Sequence, residues 1–290
     1  MITKNVEVID SHCHLWKLDI SGKTWITPEL GPLFRSFDPN DLLSAPENTN
    51  VNSFIVVEAG ESHQENQALA DMAEDSKAIS GFITWVDLEN PQLEEEVRFW
   101  SLYPKFKGVR MRFEGNDDPA FLGKKTIKNG LSVISDIGCV FEFLIQTHQL
   151  EDVLKLCEEN PDLRGIVEHM AKPDILYQSD KEKWIELMTS LARKTDIYCK
   201  MSLSPRSQDM PEFLDRTMRP WSSEDIKPFA QHIMNEFDTE KLIWGSDWPI
   251  SSVTNSYDET YQLMQDSIGQ ISSYENDRLF KDNSVEFYGL

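Results

Sequence analysis

The sequence predicts an α/β fold in which eight parallel strands close into a (β/α)8 barrel sheathed by helices. Three observations predict it. Eight short apolar runs recur along the 290 residues. Several of them, such as Phe54-Ile55-Val56-Val57 and Val140-Phe141-Glu142-Phe143-Leu144-Ile145, are nearly unbroken, as strands covered on both faces require. Most neighbouring runs are separated by a segment with helical periodicity. Eight such units favour a closed barrel over the competing open, doubly wound sheet, and one domain over 1–290 suits that size.

Strands are expected at 6–14, 53–59, 80–88, 107–113, 140–147, 165–170, 196–202 and 242–248. Helices are expected at 64–77, 91–103, 128–137, 181–194, 224–237 and 258–271, and after the fifth strand. That last helix is the clearest: Leu150, Val153, Leu154 and Cys157 repeat at helical spacing and Pro161 follows its end. Two connections exceed plain loops. Residues 17–52 carry Trp25, Pro28, Phe34 and Phe37, and residues 204–225 carry Pro205, Met210, Pro211 and Trp221. Long excursions of this kind cover active sites or pack over a barrel end.

Fifty acidic against 28 basic residues give a net charge of -22, whose field repels nucleic acid and anionic membranes. Cys13, Cys139, Cys157 and Cys199 show no C-x-x-C spacing and read as small buried hydrophobes with reduced thiols. The first residues lack an apolar signal segment and no apolar run is long enough to span a bilayer, so a soluble, cytoplasmic protein is expected.

In such a barrel the chemistry sits at the C-terminal strand ends. His12 and His14, two apart at the end of the first strand, point the same way. Other strand ends contribute Glu58, Arg110 and Arg112, Gln146 and His148, Glu168 and His169, Lys200 and Ser202, and Asp247. A carboxylate held among histidines, as Asp247 would be, deprotonates water and returns the proton to a leaving group. His12, His14, His169 and Asp247 are therefore the candidate catalytic set. Arg110 and Arg112 share a strand face and are expected to bind substrate oxygens or to pair with acids such as Glu142 or Glu58. Lys200, Ser202 and His148 are weaker binding candidates, while Trp25, Trp85 and Trp248 are candidates to stack on a bound substrate. His63 and His232 read as structural or surface residues.

Several stretches resemble the amidohydrolase-2, or fuconolactonase-like, branch of the amidohydrolase superfamily. They include Ile9-Asp10-Ser11-His12-Cys13-His14-Leu15-Trp16, Trp25-Ile26-Thr27-Pro28, Lys107-Gly108-Val109-Arg110, Val167-Glu168-His169-Met170-Ala171-Lys172-Pro173, Ile243-Trp244-Gly245-Ser246-Asp247-Trp248-Pro249 and the closing Asn283-Ser284-Val285-Glu286-Phe287-Tyr288-Gly289-Leu290. The resemblance implies a distorted TIM barrel that hydrolyses a sugar-acid lactone such as L-fucono- or L-rhamnono-lactone. It assigns water activation to Asp247 and carbonyl binding to His12, His14 and His169. It leaves open whether no cofactor or one divalent ion, zinc foremost, sits on His12, His14 and Asp247, with Glu142 a weaker further ligand. The expected partner is a small-molecule lactone, and a homodimer is left open. Relatives usually follow the Lys-x-Ser of the seventh strand with Gly, whereas Leu203 stands here, which puts the particular sugar in doubt. The rivals are a metal-dependent, non-oxidative decarboxylase of the same superfamily and a catalytically silent barrel that binds sugar acids.

Overall fold

A computed structural model describes residues 7–20, 22, 24–116 and 118–290. The strands are β1 (Val8–His14), β2 (Val51–Val57), β3 (Ile79–Trp85), β4 (Phe106–Arg112), β5 (Phe141–Leu144), β6 (Gly165–Val167), β7 (Tyr198–Met201) and β8 (Leu242–Trp244). They form one sheet in the order β1 to β8, and every adjacent pair is parallel. Consecutive order is the signature of a barrel, since a doubly wound sheet reverses direction at a switch point. The seam closes through the tip of β8. Cys13 bridges Trp248 in parallel, His14 N donates to the Trp248 carbonyl at 2.7 Å, and Asp247 N donates to the His12 carbonyl at 2.8 Å.

The outer helices match the predicted ones in place, with shifted ends: His63–Asp75, Leu93–Trp100, Lys125–Ile137, Leu150–Glu159, Lys181–Lys194, Ser223–Glu236 and Tyr257–Ile268. Leu150–Glu159 buries Leu150, Val153, Leu154, Leu156 and Cys157, the stripe its spacing dictates. Residue 6, where the first strand was expected to begin, lies outside the described residues. Several strands are shorter than expected, and β5, β6 and β8 end early for a local reason. β5 stops at Leu144 because Gln146 and Gln149 form a reciprocal cap that opens a 3-10 turn. β6 stops at Val167 because four successive residues, His169 to Lys172, take left-handed backbone angles. β8 stops at Trp244, and Asp247 is again left-handed, at φ 58°.

Inside the barrel, Ile55, Val57, Ile83, Val140, Ile166 and Ile243 pack with Phe287 and Tyr288 of the C-terminal helix Asn283–Tyr288. That helix seals the floor. All four cysteines are free and buried, and burial pushes their thiols up, to about 12 for Cys139 and Cys157. No helix of the described residues is long and apolar enough to cross a membrane.

Candidate active site

His12 and His14 are fully buried at the end of β1, with their Nε2 atoms 3.1 Å apart. The Val57 carbonyl lies 2.9 Å from His14 Nδ1. A carbonyl only accepts, so Nδ1 carries a proton and Nε2 is the nitrogen turned into the site. β1 is held against β8 by Asp10. This buried carboxylate accepts from Ser246 N at 2.9 Å, Ser246 Oγ at 2.6 Å, Tyr257 OH at 2.8 Å and His12 N at 3.1 Å. Gly245 permits the close approach, because a Cβ there would lie 2.6 Å from His12 Cβ.

Asp247 Oδ1 stands 3.3 Å from His14 Nε2, 3.5 Å from His12 Nε2 and 3.9 Å from His169 Nε2. Both of its oxygens are buried and neither has a hydrogen-bond partner among the described residues. Burial alone would raise its carboxyl, but His169, His14 and Lys172 outweigh that and hold it below the usual carboxylate range. The group is thus an ionised acceptor that lacks a donor. His169 bonds Ser202 Oγ through Nδ1 at 2.8 Å, and burial pulls its imidazole down to about 3, so it is neutral. Both His169 and Asp247 occupy the left-handed region, which L side chains adopt at a cost and which recurs at functional sites.

A layer of charge lies beneath these rings. Arg110 Nε donates to Glu58 Oε1 at 2.7 Å, and its Nη1 donates to Glu168 Oε2 at 3.0 Å. Lys200 Nζ donates to Glu142 Oε2 at 2.6 Å and lies 3.1 Å from His12 Nδ1. Burial, and secondarily Glu142, pushes the Glu168 carboxyl well up, whereas Lys200 overcomes burial and holds Glu142 down. Glu168 therefore keeps the proton of the pair, and two cations face two carboxylates. Burial of so many ionisable groups is tolerable because each is paired.

A cavity of about 190 Å³ opens above, lined among others by His14, His169, Asp247, Arg110, Arg112 and Trp25. Both long connections contribute to its wall, Trp25 and Leu30 from the first and Ser204, Pro205 and Met210 from the second. The remaining candidates fall elsewhere. Lys200 and Ser202 sit below the cavity wall, the one on Glu142 and His12 and the other on His169. Glu142 binds Lys200 and the Tyr288 hydroxyl, at 2.6 Å each, and turns away from the histidine Nε2 atoms. His148 is exposed, because the 3-10 turn at Thr147–Gln149 swings it outward. Trp85 packs edge-on against His63, and Trp248 against Phe37, so neither lines the cavity. Lys172 and Glu114, which pair at 2.7 Å on the wall, were not singled out from the sequence. Their only signal was position beside a strand end, and Lys172 owes its placement to the left-handed run before it.

Among the described residues, two sets of donor atoms are close enough to hold a metal ion: His12, His14 and Asp247, and His12, Glu168 and His169. In the first set the separations of 3.1, 3.3 and 3.5 Å match the edge of a tetrahedron with ligand bonds of about 2.0–2.1 Å, roughly 3.3 Å. The unpartnered Asp247 oxygens and the inward-turned His14 Nε2 suit a cation there.

The structure is thus a parallel (β/α)8 barrel that gathers the paired β1 histidines, a histidine after β6 and an aspartate after β8 at the C-terminal ends of its strands. A family model described as Amidohydrolase matches residues 9–290, and the chain belongs to that family. It is 26% identical over 289 residues to an L-fucono-1,5-lactonase of Burkholderia multivorans, covering 97% of this chain and 96% of the relative. An L-fucono-1,5-lactonase of Burkholderia ambifaria is 25% identical over 250 residues, which is 86% of this chain and 82% of the relative. A crystal structure of a Burkholderia multivorans amidohydrolase with bound zinc superposes with a TM-score of 0.86 at 25% identity, covering 98% of this chain and 99% of the other.

Proposed function

We propose that this protein hydrolyses a sugar-acid lactone, an aldonolactone of the L-fucono or L-rhamnono type, with water activated by Asp247. The observation that carries the proposal is the buried, ionised Asp247 carboxylate, unpartnered and within 3.9 Å of three histidines. A water beside Asp247 has that carboxylate as the acceptor for one of its hydrogens. As its oxygen bonds the lactone carbonyl carbon, one proton passes to Asp247. His169, on the cavity wall, faces the oxygen on which negative charge develops. The bond from that carbon to the ring oxygen then breaks, and Asp247 returns the proton to the leaving oxygen. The products are a carboxylic acid and a free hydroxyl. If a divalent ion, zinc foremost, is bound, His12, His14 and Asp247 would hold it, and it would supply Lewis-acid polarisation of the carbonyl.

The charge on the wall favours a neutral, hydroxyl-rich ligand. Glu58, Glu61, Glu114 and Asp247 face Arg110, Arg112 and Lys172. Arg110 and Lys172 are already paired, and Arg112 is the wall cation without an ion-pair partner among the described residues. Arg110 is therefore not free to hold a substrate carboxylate, whereas Arg112 is the wall cation that a carboxylate-bearing substrate would meet. The relatives named as L-fucono-1,5-lactonases support the same reading. The test is a panel of neutral aldonolactones and carboxylate-bearing substrates, followed by pH indicator and by carbon dioxide release. Acid release from the neutral lactones is expected; carbon dioxide release without it would replace this reading with the decarboxylase one.

A further inference from the structure

A chain of side chains crosses the barrel from its floor to the site. Tyr288, on the C-terminal helix, donates its hydroxyl to Glu142 Oε1 at 2.6 Å. Glu142 Oε2 accepts from Lys200 Nζ at 2.6 Å, and Lys200 Nζ lies 3.1 Å from His12 Nδ1. All four residues are buried, and Lys200, Glu142 and His12 have no measurable exposure. An ammonium only donates, so His12 Nδ1 must accept from it. The proton of the neutral ring then sits on Nε2, 3.1 Å from His14 Nε2 and 3.5 Å from Asp247.

We propose that Lys200, held by Glu142 and Tyr288, is a positioning residue that fixes His12 as a hydrogen-bond donor toward His14 and Asp247. The inference deepens the lactone-hydrolase reading and rests on it for its kinetic consequence alone. Lys200 touches no substrate; it sets which nitrogen of His12 carries the proton. The C-terminal helix thereby acquires a role beyond closing the floor, since its Tyr288 orients the lysine.

Nitrogen-15 imidazole NMR tests this directly. The chain has six histidines, and His12→Gln identifies the His12 signals. In the wild-type protein, Nε2 is expected to be the protonated nitrogen and Nδ1 the bare one. The double substitution Lys200→Met/Glu142→Gln removes the ion pair as a unit and should release the tautomer, so that Nδ1–H appears. If lactones are turned over, kcat of that variant should fall about 100-fold with KM within about twofold. Tyr288→Phe keeps the ring in the floor and should lower kcat about three- to tenfold. A wild-type His12 protonated on Nδ1 overturns the proposal, as does a folded double variant that keeps Nε2–H and wild-type kcat. The NMR result stands even if the wild-type enzyme opens no lactone, so failure of the activity reading and failure of this one are separable.

Discussion

Replacing Asp247 by Asn changes one oxygen to an amide and keeps the volume. Asn is among the few residues that accept a left-handed backbone, so φ of 58° is not disturbed. The side chain has no hydrogen-bond partner among the described residues to lose. It also sheds a buried charge that is balanced only by contacts of 3.3–3.9 Å. Stability should therefore hold or rise, with Tm unchanged or higher by about 2 °C. Activity should not survive. An amide cannot take the water proton, and general-base catalysis contributes about 10²–10⁴-fold, or roughly 2.7–5.4 kcal/mol of barrier. Acid release from an aldonolactone, read by pH indicator alongside a thermal melt, measures both. A folded Asp247→Asn enzyme within about fivefold of wild-type kcat would refute the assignment, since five-fold is under 1 kcal/mol.

Ser202→Ala removes the 2.8 Å contact that orients His169 and should cost about 10- to 100-fold in kcat with KM little changed, measured by steady-state kinetics. Gly245→Ala drives a Cβ to 2.6 Å from His12 Cβ; it should cost about 1–3 kcal/mol by denaturant melt and displace the β1 histidines. Glu114 is held at about 2 by Lys172, against burial that alone would raise it. A carboxyl lowered in the folded state stabilises fully above its unfolded value near 4.5 and loses that contribution as pH falls toward 2. Melts from pH 6 to pH 2 should show the loss, about 3 kcal/mol at most, and Glu114→Gln should flatten the profile over that window.

Most of the fold was legible because nearly unbroken apolar runs and helical stripes are direct consequences of burial on both strand faces. The strand ends were not. Nothing in His169-Met170-Ala171-Lys172 announces four left-handed residues, since none is a glycine. At the site, alternation along β1 placed His12 and His14 together, and the Gly-Ser-Asp turn placed Asp247 against them. Alternation gives the face of a strand and not the depth in the barrel. Lys200 and Glu142 point inward as expected, yet they lie beneath the rings and neutralise each other there. Glu168 is legible as a strand-end residue beside His169, but its role appears only once Arg110 is seen to reach it. His148 misled through adjacency alone, since a single 3-10 turn sends it to solvent.

The central claim is that water held by Asp247 attacks the lactone carbonyl. Hydrolysis in ¹⁸O-labelled water with mass spectrometry of the product tests it most directly. One labelled oxygen in the new carboxylate, with the released hydroxyl unlabelled and the reaction lost in Asp247→Asn, is the predicted result. Label in the hydroxyl, or equal incorporation by Asp247→Asn, would contradict it.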